Sequence, residues 1–235
     1  MKTVRRGFVP EDERFFSDHS LITLKKASGD IKYLIDNGYP IKSASTFVGD
    51  HYLLSERQRL AAVRSISSNE MLRLRCAKQL TFPEKGSTVH IDCFNTIITL
   101  EVAYSESPLF EGMDGCIRDL AGLRGTYRIV DKTYLALESV GKALCSFDIG
   151  KAVFYIDKPV SNSGRLAQLI NRTYENMPFE VTTVVMNEVD YELKKHENVI
   201  SGDAIILDEC KSWFNLVRYI LEKENLLDKT LRVWG

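Results

Sequence analysis

Apolar residues in the first third of the chain recur at helical spacing, and turn signals separate the segments. Helices are predicted from residue 10 to about 27, over 30–37, over 40–48, after Ser55 and after Ser67. Pro10 and the acids that follow it suit a helix start, and Gly38 suits a left-handed stop. Ser55 and Ser67 each open a capping box of the type S-x-x-Q or S-x-x-E. The pattern predicts a small all-helical module over residues 1–85, compatible with a helix-turn-helix unit.

Residues 86–235 follow a different pattern, in which short β-branched segments alternate with helical ones. Strands are predicted over 87–93, 151–156, 179–186 and 198–201, and helices over 131–144, 164–175, 189–195 and 204–225, the last broken near 211–213. One more helix is expected over 116–123. This alternation predicts a Rossmann-like α/β domain, a parallel sheet with helices on both faces. The best candidate for a linker between the two modules is residues 81–86.

Composition and cysteine usage exclude several classes of protein. The 235 residues are 44% hydrophobic and 27% charged, as expected for a folded globular protein. The longest apolar runs are too short to span a membrane, and the N-terminus lacks the apolar stretch of a secretory signal. Five widely spaced cysteines without a C-x-x-C pair disfavour a disulfide framework or a zinc site. We therefore expect a cytoplasmic protein with free thiols.

Charge is distributed unevenly, with a net +5 in residues 1–85 and −6 in residues 86–235. Such an asymmetry suggests modules with different partners, although chance produces imbalances of this size. Arg57, Arg59 and Arg64, with Arg73 and Arg75 nearby, are candidates for contacts to nucleic-acid phosphates. An ordinary solvated helix face is the alternative interpretation.

Aspartates fall where the predicted strands end. Asp92 and Asp157 end the first two strands, Asp203 follows the last, Asp190 begins a helix, and Asp208 lies five residues beyond Asp203. The carboxyl ends of parallel strands meet at one edge, so these carboxylates can converge there. Such a cluster suits Mg²⁺ or Mn²⁺, which prefer oxygen ligands and can activate water against a phosphodiester. Helix capping is the alternative role for Asp190 and Asp203.

Candidate phosphate-binding residues accompany the acids. They are Asn95, Arg118, Ser161, Asn162, Ser163 and Arg165. Small hydroxyl residues and an arginine at a helix start can form an anion nest, which is the basis for the group at 161–165. The alternative role is a turn residue for Asn95, a surface Arg–Asp pair for Arg118, and a capped helix with an exposed arginine for residues 161–165.

Three segments resemble the PIN-like nucleases, especially their NYN branch. Residues 89–95 (Val-His-Ile-Asp-Cys-Phe-Asn) look like the opening "IDGxN" strand, residues 189–193 like the middle acidic helix, and residues 198–208 like the late "SxD…D" segment. The resemblance covers about residues 87–212. It implies a metal-dependent ribonuclease fold with Asp92, Asp190, Asp203 and Asp208 as ligands of one or two Mg²⁺ or Mn²⁺ ions, Asp157 near the substrate, and RNA as partner.

This sequence departs from the nuclease pattern at two positions. Cys93 replaces the usual glycine after the first aspartate, and Ile205 stands where many members carry an acid. The first alternative is therefore an inactive PIN-like module for RNA binding or assembly. PIN-like domains often pair, so a homodimer through Trp213 and Phe214 or through the front helices is a further expectation. The whole chain also looks like a two-part family of unknown function.

A second alternative is a phosphatase similar to the haloacid dehalogenases, since residues 202–208 fit their GDxxxxD segment. That chemistry needs an acid two residues after the nucleophilic aspartate, and Phe94 stands there, unable to transfer a proton. Neither a P-loop nor a G-x-G-x-x-G motif occurs, so a dinucleotide cofactor is not expected. His90 is predicted within a strand, and His196 is predicted to be an isolated surface residue.

Overall fold

The front of the molecule is helical. The computed structural model describes residues 5–122 and 125–235. The first five helices are α1 (Asp12–Phe15), α2 (Asp18–Asp36), α3 (Ile41–His51), α4 (Glu56–Ser65) and α5 (Asn69–Lys78). Ser55 forms the predicted capping box at the start of α4, because its side chain accepts from the Gln58 amide while the Gln58 side chain accepts from the Ser55 amide. The predicted all-helical N-terminal module is confirmed.

The helix boundaries differ from the prediction at three points. Ser17 caps α2, which ends the first predicted helix after a single turn. Gly29 lies inside α2, so the two helices predicted over 10–27 and 30–37 are largely one; Gly38, with φ of +85°, is the stop. Ser68 rather than Ser67 caps α5, accepting from the Met71 amide. Side-chain capping, more than glycine content, decided these boundaries.

Six parallel strands form the central sheet. They are β1 (Gln79–Leu80), β2 (Thr88–Asp92), β5 (Lys151–Asp157), β6 (Glu180–Met186), β7 (Val199–Ile200) and β8 (Trp213–Phe214), in the spatial order β1-β8-β7-β2-β5-β6. Between β2 and β5 in the chain, β3 (Phe110–Glu111) and β4 (Ile117–Arg118) form a separate antiparallel pair. The chain builds the sheet outward from β2 in one direction and then, after β6, in the other.

Helices cover both faces of this sheet. They are α6 (Cys93–Tyr104), α7 (Asp131–Ser146), α8 (Ser163–Thr173), α9 (Val189–Leu193), α10 (Ala204–Glu209) and α11 (Leu216–Lys223), followed by a 3-10 turn at Leu227–Lys229. One core lies between the sheet and α6, α7, α8 and α11, and a second lies against α9 and α10. The predicted Rossmann-like α/β class is therefore confirmed.

One predicted helix is wrong: residues 117–118 form β4 where a helix over 116–123 was predicted, with Leu123 outside the described residues. The helical segment predicted over 204–225 is broken near the predicted point, between α10 and α11. What the sequence did not predict is that β8 lies in this break, where Trp213 is fully buried and donates its indole N–H to the Arg75 carbonyl at 2.8 Å. Because Trp213 and Phe214 lie inside the sheet core, they do not form the surface proposed for a homodimer.

The helical module and the sheet are packed against each other. β1, which directly follows α5, pairs with β8 at one edge of the sheet. Phe110, Leu120 and Val233 are buried in the core of the helical module. Across residues 5–122 and 125–235, no helix is both long and apolar enough to cross a membrane.

Candidate active site

A cleft of about 730 Å³ separates the helical module from the carboxyl edge of the sheet. One wall comes from α2 to α5 and the turns between them. The opposite wall comes from the ends of β2 and β5 and from the segments that follow β6 and β7. The order in which strands are added reverses between β2 and β7, and ligands of open α/β sheets bind outside the strand ends at such a point.

Asp92 lies at the base of this cleft, as the last residue of β2 and the N-cap of α6. Its carboxylate accepts a hydrogen bond from the Ser201 hydroxyl at 2.8 Å and a longer one from the Asn95 amide at 3.4 Å. The residue is only 6% exposed. Burial, joined by the negative charges of Asp203 and Asp190, raises the pKa of Asp92 to about 7. Near neutral pH this carboxyl group therefore exists in both protonation states.

The loop after β7 brings Asp203 to the same cleft. Asp203 caps α10 by accepting from the Ile205 amide at 2.7 Å, and its own amide donates to the Ser201 hydroxyl at 3.0 Å. Asn95 holds this loop in place, because its side-chain oxygen accepts from the Gly202 amide at 2.7 Å. Asp203 therefore both caps α10 and lines the cleft. Asn95 also lines the cleft, but its side-chain oxygen positions the loop.

Asp157 and Asp190 complete one acidic end of the cleft. Asp157 ends β5, and Asp190 lies in the first turn of α9. Burial and the nearby charge of Asp190 raise the pKa of Asp157, while burial and the charge of Asp203 raise the pKa of Asp190. We name these four residues, Asp92, Asp157, Asp190 and Asp203, the acidic end.

The acidic end has the donor chemistry of a hard-cation site. Within the part of the chain that the structure describes, no three histidine, cysteine, aspartate or glutamate side chains lie close enough together to hold a metal ion as they stand. Together with burial, the charges of Asp203 and Asp190 nevertheless raise the pKa of Asp92, and the charge of Asp203 raises the pKa of Asp190, so a positive charge beside these groups is favourable. Oxygen-only donors fit Mg²⁺ or Mn²⁺.

Asp208, predicted as a further ligand, lines the cleft but is held in an ion pair. Its carboxylate accepts from Arg75 Nε at 2.6 Å. Arg75 also donates to Asp114 at 2.6 Å. The Asp114 carboxylate in turn accepts hydrogen bonds from both terminal nitrogens of Arg118, at 2.8 and 2.6 Å. We name Arg75, Asp114, Arg118 and Asp208 the ion-pair network. It joins α5 of the helical module to α10 and the loops at the edge of the sheet.

Arg118, predicted to bind phosphate, is a buried member of this network. Besides Asp114, its Nε donates to the Gly202 carbonyl at 2.8 Å, which ties the network to the loop that carries Asp203. The role of Arg75 was not foreseen, because its partners lie 39 and 133 residues away in the chain. Burial alone would raise the pKa of Asp114, but the guanidinium groups of Arg118 and Arg75 outweigh it and lower that pKa.

The remaining predicted phosphate ligands lie outside the cleft. Ser161 and Asn162 bond to the backbone of Tyr127, and the Ser163 hydroxyl donates to backbone carbonyls of its own turn. Asn162 adopts a left-handed conformation with φ of +65°. Arg165 is exposed on the first turns of α8. This segment builds the turn that follows Asp157, whose backbone carbonyl accepts from the Ser163 hydroxyl at 2.5 Å, but none of its residues lines the cleft.

The three arginines predicted to contact nucleic acid have different surroundings. Arg57 pairs with the buried Asp12 at 2.6 Å. Arg59 pairs with Asp50 at 2.8 Å. Of the three, Arg64 alone lines the cleft, where it lies 3.6 Å from Asp119 and stays about a third exposed.

His196 is not the isolated surface residue that was predicted. Its ring stacks on that of His90 at 3.9 Å between centroids, and Tyr155 contacts both rings through its hydroxyl. The strand position of His90 is confirmed. Because His90 on β2 and His196 in the loop after α9 lie far apart in the chain, their proximity was not visible in the sequence.

Comparison with known proteins gives the chain a family. The model described as "Domain of unknown function (DUF5616)" matches residues 84–219, which is more than half of the chain. The chain belongs to this family. A second model, "Protein of unknown function (DUF434)", matches residues 23–78, within the helical module. The two matches meet where α5 and β1 lead from the helical module into the sheet.

A relative matches over most of both chains. "Uncharacterized protein MJ0935" of Methanocaldococcus jannaschii is 34% identical over 187 residues, covering 79% of this chain and 89% of its own length. No solved structure matches the chain.

Proposed function

We propose that this protein is a metal-dependent ribonuclease that hydrolyses RNA phosphodiesters at the acidic end of the cleft. The observation that carries the proposal is that four carboxylates, from the ends of β2 and β5 and from the segments after β6 and β7, line one cleft, and that Asp92 among them is buried. Keeping mutually repelling carboxylates together is costly for folding, so such a cluster is typical of a functional site. The resemblance of residues 87–212 to PIN-like nucleases supports the same activity.

In the proposed mechanism, Asp92, Asp190 and Asp203 would hold one or two Mg²⁺ or Mn²⁺ ions. A bound divalent ion offsets charge on the phosphodiester and lowers the pKa of water. Asp157, which is half-buried and has a raised pKa, would accept the proton of the attacking water. Ser201 and Asn95 would orient Asp92 and the loop that carries Asp203.

The remaining polar residues of the cleft have supporting roles in this proposal. Asp208 acts indirectly, since its ion pair with Arg75 joins α10 to the helical module. Arg64, the partly exposed arginine of the cleft, would contact a substrate phosphate. We further propose a cytoplasmic location, because all five cysteines are free thiols.

The test is Mn²⁺-dependent cleavage of a mixed RNA pool by the full chain. Asp92→Asn and Asp203→Asn should each slow cleavage by on the order of 100-fold or more, because several kcal/mol of transition-state stabilisation depend on the ion. Asp131→Asn is the matched control, since Asp131 is an exposed acid in the first turn of α7, outside the cleft. Cleavage that survives in the Asp92→Asn variant contradicts the mechanism.

An inactive RNA-binding or assembly module is the second candidate. Two observations favour it. Asp208 is held in an ion pair, and the exposed Ile205 stands at the position where many NYN nucleases carry an acid. RNA binding that is insensitive to Mn²⁺ and to Asp92→Asn, without cleavage, would support this candidate.

The phosphatase alternative is disfavoured by the surroundings of Asp92. Phe94, two residues on, is buried against the Tyr127 ring, and it supplies no proton-transfer group. A phosphomonoester in the same assay distinguishes the reactions, since only a phosphatase should turn it over.

A further inference from the structure

The wall of the cleft formed by the helical module combines polar residues with a group of apolar side chains. It contains Ile35, Tyr39, Ile41, Val63 and Met71, and we name it the helical wall. Four of these side chains are half-buried, and the Tyr39 ring, in the turn between α2 and α3, is 58% exposed. The same cleft contains the acidic end, so a ligand that extends along the cleft from the carboxylates would reach this wall.

The helical wall has the chemistry of a nucleobase site. Exposed aromatic rings bind unpaired bases by stacking, and they do so with little sequence preference because every base has a π-face. The half-buried aliphatic side chains around Tyr39 extend this apolar surface. Phosphates and riboses, by contrast, gain little from such a surface.

Arg64 lies on α4 within the same wall. Its guanidinium contacts Asp119, whose carboxylate also accepts from the Thr99 hydroxyl and the Ala121 amide at 2.8 and 2.7 Å. These contacts leave Arg64 about a third exposed, so it presents a positive charge beside the apolar side chains. A base on the wall and its adjoining phosphate at Arg64 would be recognised together.

Size and depth restrict what can reach the acidic end. The volume of about 730 Å³ is that of a pocket for a drug-sized ligand, comparable to one or two nucleotides. Asp92 is almost completely buried at the base of the cleft. A base that is stacked and paired inside a duplex cannot enter such a pocket, whereas an unpaired nucleotide can turn into it.

We propose that the helical wall binds an unpaired base next to the scissile phosphate, with Tyr39 stacking on it, and that the substrate is therefore single-stranded RNA. This inference rests on the proposed nuclease function for the position of the phosphate. It gives the DUF434 part of the chain a role in substrate selection.

The experiment measures binding separately from cleavage. In an Asp92→Asn background with Mn²⁺, fluorescence anisotropy follows a fluorescein-labelled 12-nucleotide RNA of random sequence and a duplex of equal length. Tyr39→Ala should weaken binding of the single strand roughly five- to a hundredfold, the range of one lost base-stacking contact. Tyr39→Trp should retain binding, and RNA should quench its indole emission by more than it quenches that of the chain with Tyr39, in which only Trp213 and Trp234 emit. The control is Tyr33→Ala, an exposed tyrosine of α2 outside the cleft, which should bind as before.

The outcomes separate this inference from the proposed function. Tyr39-dependent binding with preference for the single strand supports the helical wall, even when the chain with native Asp92 cleaves no RNA and hydrolysis is thereby rejected. Unchanged binding by Tyr39→Ala, or equal affinity for duplex and single strand, overturns the inference even when Mn²⁺-dependent cleavage persists. Absence of RNA binding by every variant overturns both.

Discussion

Asp114 is held by Arg75 and Arg118, two residues that line the cleft, whereas Asp92 lines the cleft itself, and the charges around the two aspartates are opposite. Asp114 is enclosed by the guanidinium groups of Arg75 and Arg118, which lower its pKa. Asp92 is buried near the carboxylates of Asp203 and Asp190, and its pKa is raised to about 7. Two buried aspartates of one molecule thus differ: Asp114 is paired with cations, and Asp92 is repelled by neighbouring carboxylates.

The difference separates structural acids from candidate catalytic ones. The ion-pair network joins α5 to the edge of the sheet, so its charges contribute to the arrangement of the two modules. The acidic end contributes no such link, and its repulsion lowers the stability of the folded chain. A cation bound there would reverse the sign of that contribution.

The largest effect is expected from Asp114→Ala. This change leaves Arg118, whose side chain is 8% exposed, without its bidentate partner. Breaking a buried ion pair by removing one member costs about 3–5 kcal/mol, measured here as a lower free energy of unfolding in urea. Asp131→Ala, at an exposed acid, should change it by less than about 0.5 kcal/mol. Similar values for the two variants would show that the network contributes no stability.

Asp92→Asn should have the opposite effect and raise the free energy of unfolding at pH 8 in the absence of divalent ions. The folded-state pKa is raised from 3.8 to about 7, so the folded chain binds the proton more tightly and loses stability as pH rises between these values. The gain at pH 8 is at most about 4 kcal/mol, from the difference of about three pKa units. It should disappear toward pH 4, where wild-type Asp92 is protonated. Thermal unfolding at both pH values tests this, and a gain that does not depend on pH would contradict the assignment.

Asp208→Asn should resemble Asp114→Ala in sign, with a smaller effect. Arg75 loses one charged partner but keeps Asp114, and Asp208 is partly exposed. We expect a loss of about 1–2 kcal/mol, in the range of a hydrogen bond to a charged group. Mn²⁺ affinity, measured by titration calorimetry, should stay unchanged, whereas Asp203→Asn should reduce it. Equal loss of Mn²⁺ binding in both variants would show that Asp208 is a metal ligand after all.

Ile205→Asp should have the smallest effect on stability, and it tests whether the acidic end binds a cation. Ile205 is 57% exposed in the first turn of α10, next to Asp203. An acid near a helix start gains about 0.3–1 kcal/mol, offset here by the neighbouring carboxylates. Mn²⁺ affinity should rise on the order of tenfold, because ligand charge tunes affinity for hard cations. An unchanged Mn²⁺ affinity would mean that this position does not face the ion.

Much of the α/β architecture was predictable from the local pattern of apolar and polar residues. Two elements that were not predicted, α6 and β8, were missed for physical reasons. α6 was not predicted because nearly all of its residues from Cys93 to Ala103 are buried, which removes the polar face that gives a helix its period. β8 is two residues long, and its existence depends on pairing with β1 and β7. The strand-end aspartates were identifiable because parallel strands share a carboxyl edge.

The sequence by itself determined the alternation of strands and helices, the caps of several helices, and the aspartates at the strand ends. Backbone propensity, capping and side-chain periodicity act over a few residues, so these features need no knowledge of distant neighbours. Only the tertiary structure decided that Asp208 pairs with Arg75 and Arg118 with Asp114, and that Ser161 and Asn162 form a turn before α8. It also decided that Tyr39 and Arg64 line the cleft. Whether a charged group is neutralised or exposed depends on which elements pack beside it, and those elements lie far apart in the chain.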